Sequence, residues 1–279
     1  MKSLFDKVSG ECSKAVTNAY STSFSLATKM LAPSIRQDIY NIYGFVRLAD
    51  EIVDSFHDYD KETLLDEFSV NLYKAIDKKI SLNPILNAFQ ETVHKYGIEA
   101  SLYNAFLKSM RQDLHKSTYL DAREYEEYIY GSADVVGLMC LKVFVKGDQK
   151  QFEELRESAM KLGSAFQKVN FLRDLKADLE DLSRSYFPDT NLHSLDELSK
   201  ERIIAEIEED FAAGFQGITK LPVEAKFGVY TAYVYYCKLL QKLKKVPSLE
   251  IKNRRISVPN YEKAGLLARS YISYRLNLL

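Results

Sequence analysis

The chain has 279 residues, 46% of them hydrophobic and 28% charged, with only 11 Gly and 6 Pro to interrupt regular structure, the composition of a globular protein able to bury a substantial core. Its 38 Lys and Arg against 39 Asp and Glu leave a formal net charge of -1, so no overall field draws it to nucleic acid or to an anionic membrane. Three cysteines, Cys12, Cys140 and Cys237, lack the spacing of a zinc site or a disulfide framework and read as reduced thiols of a cytoplasmic protein.

The opening run Met1-Lys2-Ser3-Leu4-Phe5-Asp6-Lys7 turns polar before any apolar segment of signal-peptide length, so export is not expected. No stretch approaches the roughly 18 unbroken apolar residues of a membrane span. Over residues 34–56 the apolar side chains Ile35, Ile39, Ile42, Tyr43, Val46, Ala49, Ile52, Val53 and Phe56 recur at three- and four-residue steps, which predicts a long amphipathic helix started after Pro33. Shorter helices are predicted over 62–80, 84–96 and 101–114, and long ones over 122–145, 152–182, 222–243 and 258–276. Loops are expected at 81–84, 147–148, 185–195 and 246–257, where Pro, Gly, Asn and Ser cluster. Strand alternation, internal repeats and linker-like tracts are all missing, so the reading is an all-α chain forming one domain over 1–279.

Asp50-Glu51-Ile52-Val53-Asp54 lies inside the strongest helical pattern, and four residues at about 100° each put Asp50 and Asp54 one turn apart on one face. Their neighbours Tyr43, Val46 and Arg47 are not the Lys partners of an ordinary solvated acidic face. Asp174 and Asp178 repeat the spacing on another long helix, where Gln167, Asn170, Asp174 and Asp178 form a polar line between Leu162, Phe166, Val169, Leu172 and Leu175. Taken alone, one Asp-x-x-x-Asp most often marks a solvated helix face. Two of them, each in an apolar helix with an Arg (Arg47, Arg173) beside it, favour a Mg²⁺ site shared between carboxylates and a substrate diphosphate. Such an ion would stabilise negative charge on a departing diphosphate, and the two arginines match phosphate oxygens.

Several motifs in order carry a resemblance to the squalene and phytoene synthases, the head-to-head isoprenyl diphosphate synthases. Asn170-Phe171-Leu172-Arg173-Asp174 through Asp178 to Tyr186-Phe187-Pro188 resembles the family's second aspartate motif and its tail. Tyr43-Gly44-Phe45-Val46-Arg47-Leu48-Ala49-Asp50 through Asp54 resembles the first, and Ser21-Thr22-Ser23-Phe24 the N-terminal element that helps cover the diphosphates. The resemblance implies an isoprenoid-synthase helical bundle around a central substrate cavity. It also implies that Asp50, Asp54, Asn170, Asp174 and Asp178 hold Mg²⁺, for which Mn²⁺ could substitute, and that Ser21, Arg47, Gln167, Arg173 and Tyr186 bind diphosphate, with Tyr43 and Arg47 in the catalytic set.

Phe24, Tyr130, Asp134 and Gly137 would line the cavity by the same resemblance. Tyr128-Ile129-Tyr130-Gly131-Ser132-Ala133-Asp134-Val135-Val136-Gly137 departs from the family pattern Tyr-x-Tyr-x-Val-Ala-Gly-x-Val-Gly at Ser132 and Asp134, in a helix expected to bend around the tunnel. A buried Asp134 must therefore face a cation, a donor or the polar end of the cavity. Arg111-Gln112-Asp113-Leu114 resembles another family element, but a helix-end ion pair accounts for it and no catalytic role is assigned. Arg254 and Arg255 could meet diphosphate or anionic lipid, and for Arg254 capping of a solvated loop is an equal alternative. His57, His94, His115 and His193 show no zinc spacing.

The activity so implied is condensation of two geranylgeranyl diphosphates to phytoene, a step of carotenoid biosynthesis, through a cyclopropyl (prephytoene) diphosphate. NADPH is not expected. One alternative is a C30 enzyme making squalene or dehydrosqualene from farnesyl diphosphate; another is a helical assembly protein of the same fold without catalysis. Prenyl diphosphates are the expected partners and nucleic acid is not. A peripheral contact with the inner face of a membrane is compatible with substrates of this kind, and oligomeric state carries no signal in the sequence.

Overall fold

The structure, a computed structural model, describes residues 2–116, 119, 121–180, 186–188, 190, 195–251 and 255–276, with the side chains of 177–180 outside the description. Helices follow one another as α1 (Lys2–Tyr20), α2 (Thr22–Lys29), α3 (Pro33–Asp54), α4 (Lys61–Lys78), α5 (Pro84–Tyr96), α6 (Ala100–Asp113) and α7 (Ala122–Ile129). After a π-helical turn (Tyr130–Asp134) come α8 (Val135–Phe144), α9 (Gln149–Glu180), α10 (Glu197–Lys220), α11 (Val223–Lys245), α12 (Ser248–Ile251) and α13 (Asn260–Arg275). Among the described residues there is no strand, and no helix is long and apolar enough to cross a membrane.

Helix starts follow local chemistry. Pro33 and Pro84 occupy first-turn positions of α3 and α5, where a missing N–H costs nothing. Asp60, Asn83, Asp121 and Asp196 accept hydrogen bonds from first-turn amides at the starts of α4, α5, α7 and α10.

The buried apolar side chains form two clusters. One gathers α3, α4, α5, α6 and α8 around Phe45, whose ring stacks on Phe89 with centroids 4.0 Å apart. The other joins α7, the second half of α9, α10 and α11, and includes Phe171, Ile207, Phe211 and Leu239. α9 spans the junction, packing on α8 and the π-helical turn on one side and on α10 on the other. At Gly137 an added Cβ would stand 2.8 Å from the Ala159 carbonyl oxygen, and at Gly163 one would stand 2.9 Å from that of Ala133. Only glycine lets these backbones approach so closely.

The structure departs from the sequence reading in four places. The predicted helix over 122–145 is broken by the π-helical turn. The loop predicted over 246–257 contains α12, and most of the loop predicted over 185–195 lies outside the described residues. α1 and α2 have no counterpart in the reading, because α1 seats itself on α3 and α5 through Ser9, Gly10, Ser13 and Thr17, a small polar face that apolar periodicity does not mark. α10 is also missing from it, although Ile203, Ile204, Ile207, Phe211 and Ile218 carry the usual spacing.

Candidate active site

α3 and α9 supply the opposed polar stripes. Tyr43, Arg47, Asp50 and Asp54 follow one another at helical spacing on α3, and Gln167, Asn170 and Asp174 do so on α9. All seven line one cavity of about 480 Å³. Going back along α9, the wall changes to Leu162, Ala159 and Leu155, so the polar-to-apolar run from Asp174 to Leu155 covers roughly 28 Å at 1.5 Å per residue. Phe24, Leu31, Phe106, Met110, Cys140 and Phe144 complete much of the apolar wall.

The cations at the polar end are held by the carboxylates they would neutralise. Arg47 forms ion pairs with Asp50 and Glu51, and its guanidinium lies 4.4 Å from the centroid of the Tyr20 ring. Burial alone would lower the Arg47 pKa, but Asp50 and Glu51 outweigh it and hold the group above its ordinary value. Arg173 behaves likewise: burial opposes its charge, yet Asp174 holds the pKa up, with Nε donating to Asp174 Oδ1 at 2.9 Å. Arg255, between α12 and α13, donates to that same oxygen at 2.8 Å.

Tyr43 stacks on Phe24 with centroids 4.6 Å apart, and burial pushes its hydroxyl up to about 12 against the opposing pull of Arg47 and a hydrogen bond with Ser21. The Ser21 hydroxyl also accepts from the Phe24 amide at 3.2 Å, capping α2, and is not itself part of the cavity wall. Asn170 accepts from the Tyr236 hydroxyl at 3.3 Å, and Tyr236 stacks on Phe166 at 4.2 Å. Tyr186 lines the cavity as a buried ring lying flat on Phe171, with centroids 3.8 Å apart.

Of the residues expected to line the cavity, Phe24 and Gly137 do so, and Tyr130 and Asp134 do not. The π-helical turn adds a residue to the helical repeat and so shifts the phase of the side chains it contains. Tyr130 packs against the cluster around Phe45. Asp134 is 7% exposed and accepts a hydrogen bond from Ser164 on α9. The Asp178 side chain and Arg254 lie outside the described residues.

Asp50, Asp54 and Asp174, with the Asn170 amide oxygen, fit a hard cation such as Mg²⁺, since every donor among them is oxygen. Among the described residues, which leave out the Asp178 side chain, no three His, Cys, Asp or Glu side chains are grouped so that they could hold a metal ion by themselves.

Sequence reasoning passed over Tyr20, Glu51 and Tyr236, which brace Arg47 and Asn170; only Glu51, four residues from Arg47, had a readable spacing. In the Arg111–Asp113 element the expected helix-end ion pair is present, Arg111 pairing with Asp66 on α4, but Asp113 lies on the cavity wall, where its spacing from Met110 and Phe106 could have put it.

The family described as squalene/phytoene synthase matches residues 17–262. Phytoene synthase 1, chloroplastic, of Solanum lycopersicum is 28% identical over 243 residues, covering 80% of this chain, which spans only 58% of the length of that plant protein. The phytoene synthase of Arthrospira platensis is 25% identical over 291 residues, with 95% of this chain and 93% of that protein covered. A dehydrosqualene synthase crystallised with a ligand shares the fold at a TM-score of 0.81 and 20% identity, covering 97% of this chain and 98% of its own. With its two aspartate-bearing helices facing one cavity, this chain belongs to the squalene/phytoene synthase family.

Proposed function

We propose that the protein is a Mg²⁺-dependent prenyltransferase that joins two geranylgeranyl diphosphates head to head to give phytoene in carotenoid biosynthesis, without NADPH. The observation that carries this reading is a single cavity with Asp50, Asp54 and Asp174 at one end and an apolar bore leading away from them. Its relatives named phytoene synthase support the choice of product.

In this reading Asp50, Asp54, Asn170, Asp174 and Asp178 hold the metal ions. Bound there, Mg²⁺ supplies Lewis-acid stabilisation of the charge that collects on the departing diphosphate. Arg47 and Arg173 present forked donors to phosphate oxygens, with Gln167, Tyr43 and Tyr186 as further contacts and Ser21 acting through its hydrogen bond with Tyr43. Each arginine is already seated on a carboxylate, so its position is fixed before substrate arrives. The faces of Phe24, Tyr43, Phe166 and Phe171 line the cavity where an allylic cation would form, and aromatic faces attract positive charge. The apolar walls keep water from that cation.

The test is incubation of the purified protein and Mg²⁺ with C15 or C20 prenyl diphosphate, with and without NADPH, and identification of the hydrocarbons. A C40 product from the C20 substrate without NADPH is expected. A C30 product from the C15 substrate would move the assignment to squalene or dehydrosqualene, and absence of diphosphate release from both substrates would overturn the enzyme reading.

A further inference from the structure

Asp113 ends α6 on the wall of the same cavity, and the diphosphate and metal chemistry proposed above leaves it unused. It is 9% exposed, and the Tyr128 hydroxyl donates to its Oδ2 at 3.0 Å. Tyr128 lines the cavity as well, and its ring lies against Phe171 at 6.1 Å and Tyr186 at 5.5 Å. Phe171 sits between Asn170 and Asp174 on α9. The Asp113–Tyr128 pair therefore adjoins the turn that carries the polar end, where the reacting carbons of a prenyl diphosphate must lie.

Ser132, one turn beyond Tyr128, adds a third polar side chain to this wall. Its Oγ is buried and has no hydrogen-bond partner among the described residues. Holding a carboxylate in the wall of a dry cavity is costly unless a donor or a positive charge compensates it. Tyr128 supplies one such donor, and a carbocation formed in the cavity would be drawn to the carboxylate.

Resting on the proposed function, we propose that Asp113, oriented by Tyr128, is a catalytic residue that takes the proton lost by the carbocation. The C–H bond next to the cationic carbon breaks, and its electron pair becomes the π bond of a carbon–carbon double bond to that carbon, which quenches the cation. The proton goes to an Asp113 oxygen, converting carboxylate to carboxylic acid, and passes from there to the released diphosphate, a better base than the neutral hydrocarbon. No oxidant or reductant is consumed. General bases of this type contribute about a hundredfold or more.

The experiment is Asp113→Asn, whose amide oxygen still accepts from Tyr128, assayed with C20 diphosphate and Mg²⁺. Diphosphate release and the ratio of hydrocarbon to prenyl alcohol are measured together. Release should continue while that ratio falls by about a hundredfold as water captures the cation, and Asp113→Glu should retain most of the hydrocarbon. An unchanged ratio in Asp113→Asn, or an equal loss in Asp113→Glu, would overturn the proposal. Should Asp113→Asn not fold, Asp113→Ala with added formate replaces it: recovery of hydrocarbon with formate supports the base, and no recovery overturns it. Failure of the parent protein to release diphosphate would instead bring down the functional reading, so the two failures are separable.

Discussion

Asp134 accepts a hydrogen bond of 2.6 Å from the Ser164 hydroxyl, and this bond fastens the π-helical turn to α9. Behind it lies a buried charge network in which Asp210 of α10 receives Lys168 at 2.6 Å and Lys161 at 2.9 Å, while Lys168 also pairs with Glu206. The carboxylate that stands where the family pattern has a glycine has thus found its donor outside the cavity lining, on α9.

Burial pushes the Asp134 carboxyl up to about 6, against the opposing pulls of Ser164 and Lys168. A raised folded-state pKa means that its stabilising contribution is complete below the ordinary carboxylate value and is lost as pH rises through about 6. Asp134→Asn should therefore be more stable than the parent at pH 7.5, by at most roughly 3 kcal/mol, the equivalent of a rise of about two pH units. By pH 4 the difference should close. Urea denaturation at the two pH values checks this, and a gap independent of pH would refute it.

Lys168→Met should cost about 3 kcal/mol, because Asp210 would remain buried with only Lys161. The double variant Lys168→Met with Asp210→Leu should recover much of that loss, since the uncompensated charge goes too. Denaturant midpoints of the two variants decide the matter: equal losses would mean that Lys168 acts through packing.

Asp50→Asn and Asp174→Asn should leave melting temperatures close to the parent's while turnover falls by several orders of magnitude. Several kcal/mol of charge stabilisation would be lost, at tenfold per roughly 1.4 kcal/mol. Diphosphate release against Mg²⁺ concentration is the readout. Turnover within threefold of the parent in both variants would remove these residues from the proposed metal site.

Gly137→Ala should destabilise the protein by about 1–3 kcal/mol through overpacking, since its Cβ would press on the Ala159 carbonyl at 2.8 Å. The same push would move α8, which carries Val136 and Cys140 of the cavity wall. Thermal melts combined with C15 and C20 turnover would show both effects, and an unaltered melting temperature would contradict the close approach of these backbones.

Much of this site was legible in the sequence because its chemistry is regular. The spacing of Asp50 and Asp54 on one helix, and of Gln167, Asn170 and Asp174 on another, survives into a shared cavity. What was not legible traces to irregular backbone. The resemblance placed Tyr130 and Asp134 on the cavity wall from their position in a motif, which carries no sign of the π-helical turn that contains both, and neither lines the cavity. Contacts made across the fold, such as Tyr236 on Asn170 or Tyr128 on Asp113, have no local signature at all.

The polar seat of α1 has a consequence for how the molecule comes apart. Leu4, Val8 and Tyr20 remain largely exposed, and the attachment depends on bonds such as Gln37 to the Gly10 carbonyl at 2.8 Å and Asn87 to Asp6 at 3.0 Å. Hydrogen bonds that water can replace add little net free energy compared with the apolar burial that anchors α3. α1 should therefore peel away in excursions well short of global unfolding, and its amides should exchange with solvent ahead of those in α3. Each excursion would lift Tyr20 off Arg47, tying the fraying of α1 to the poise of an arginine at the polar end of the cavity.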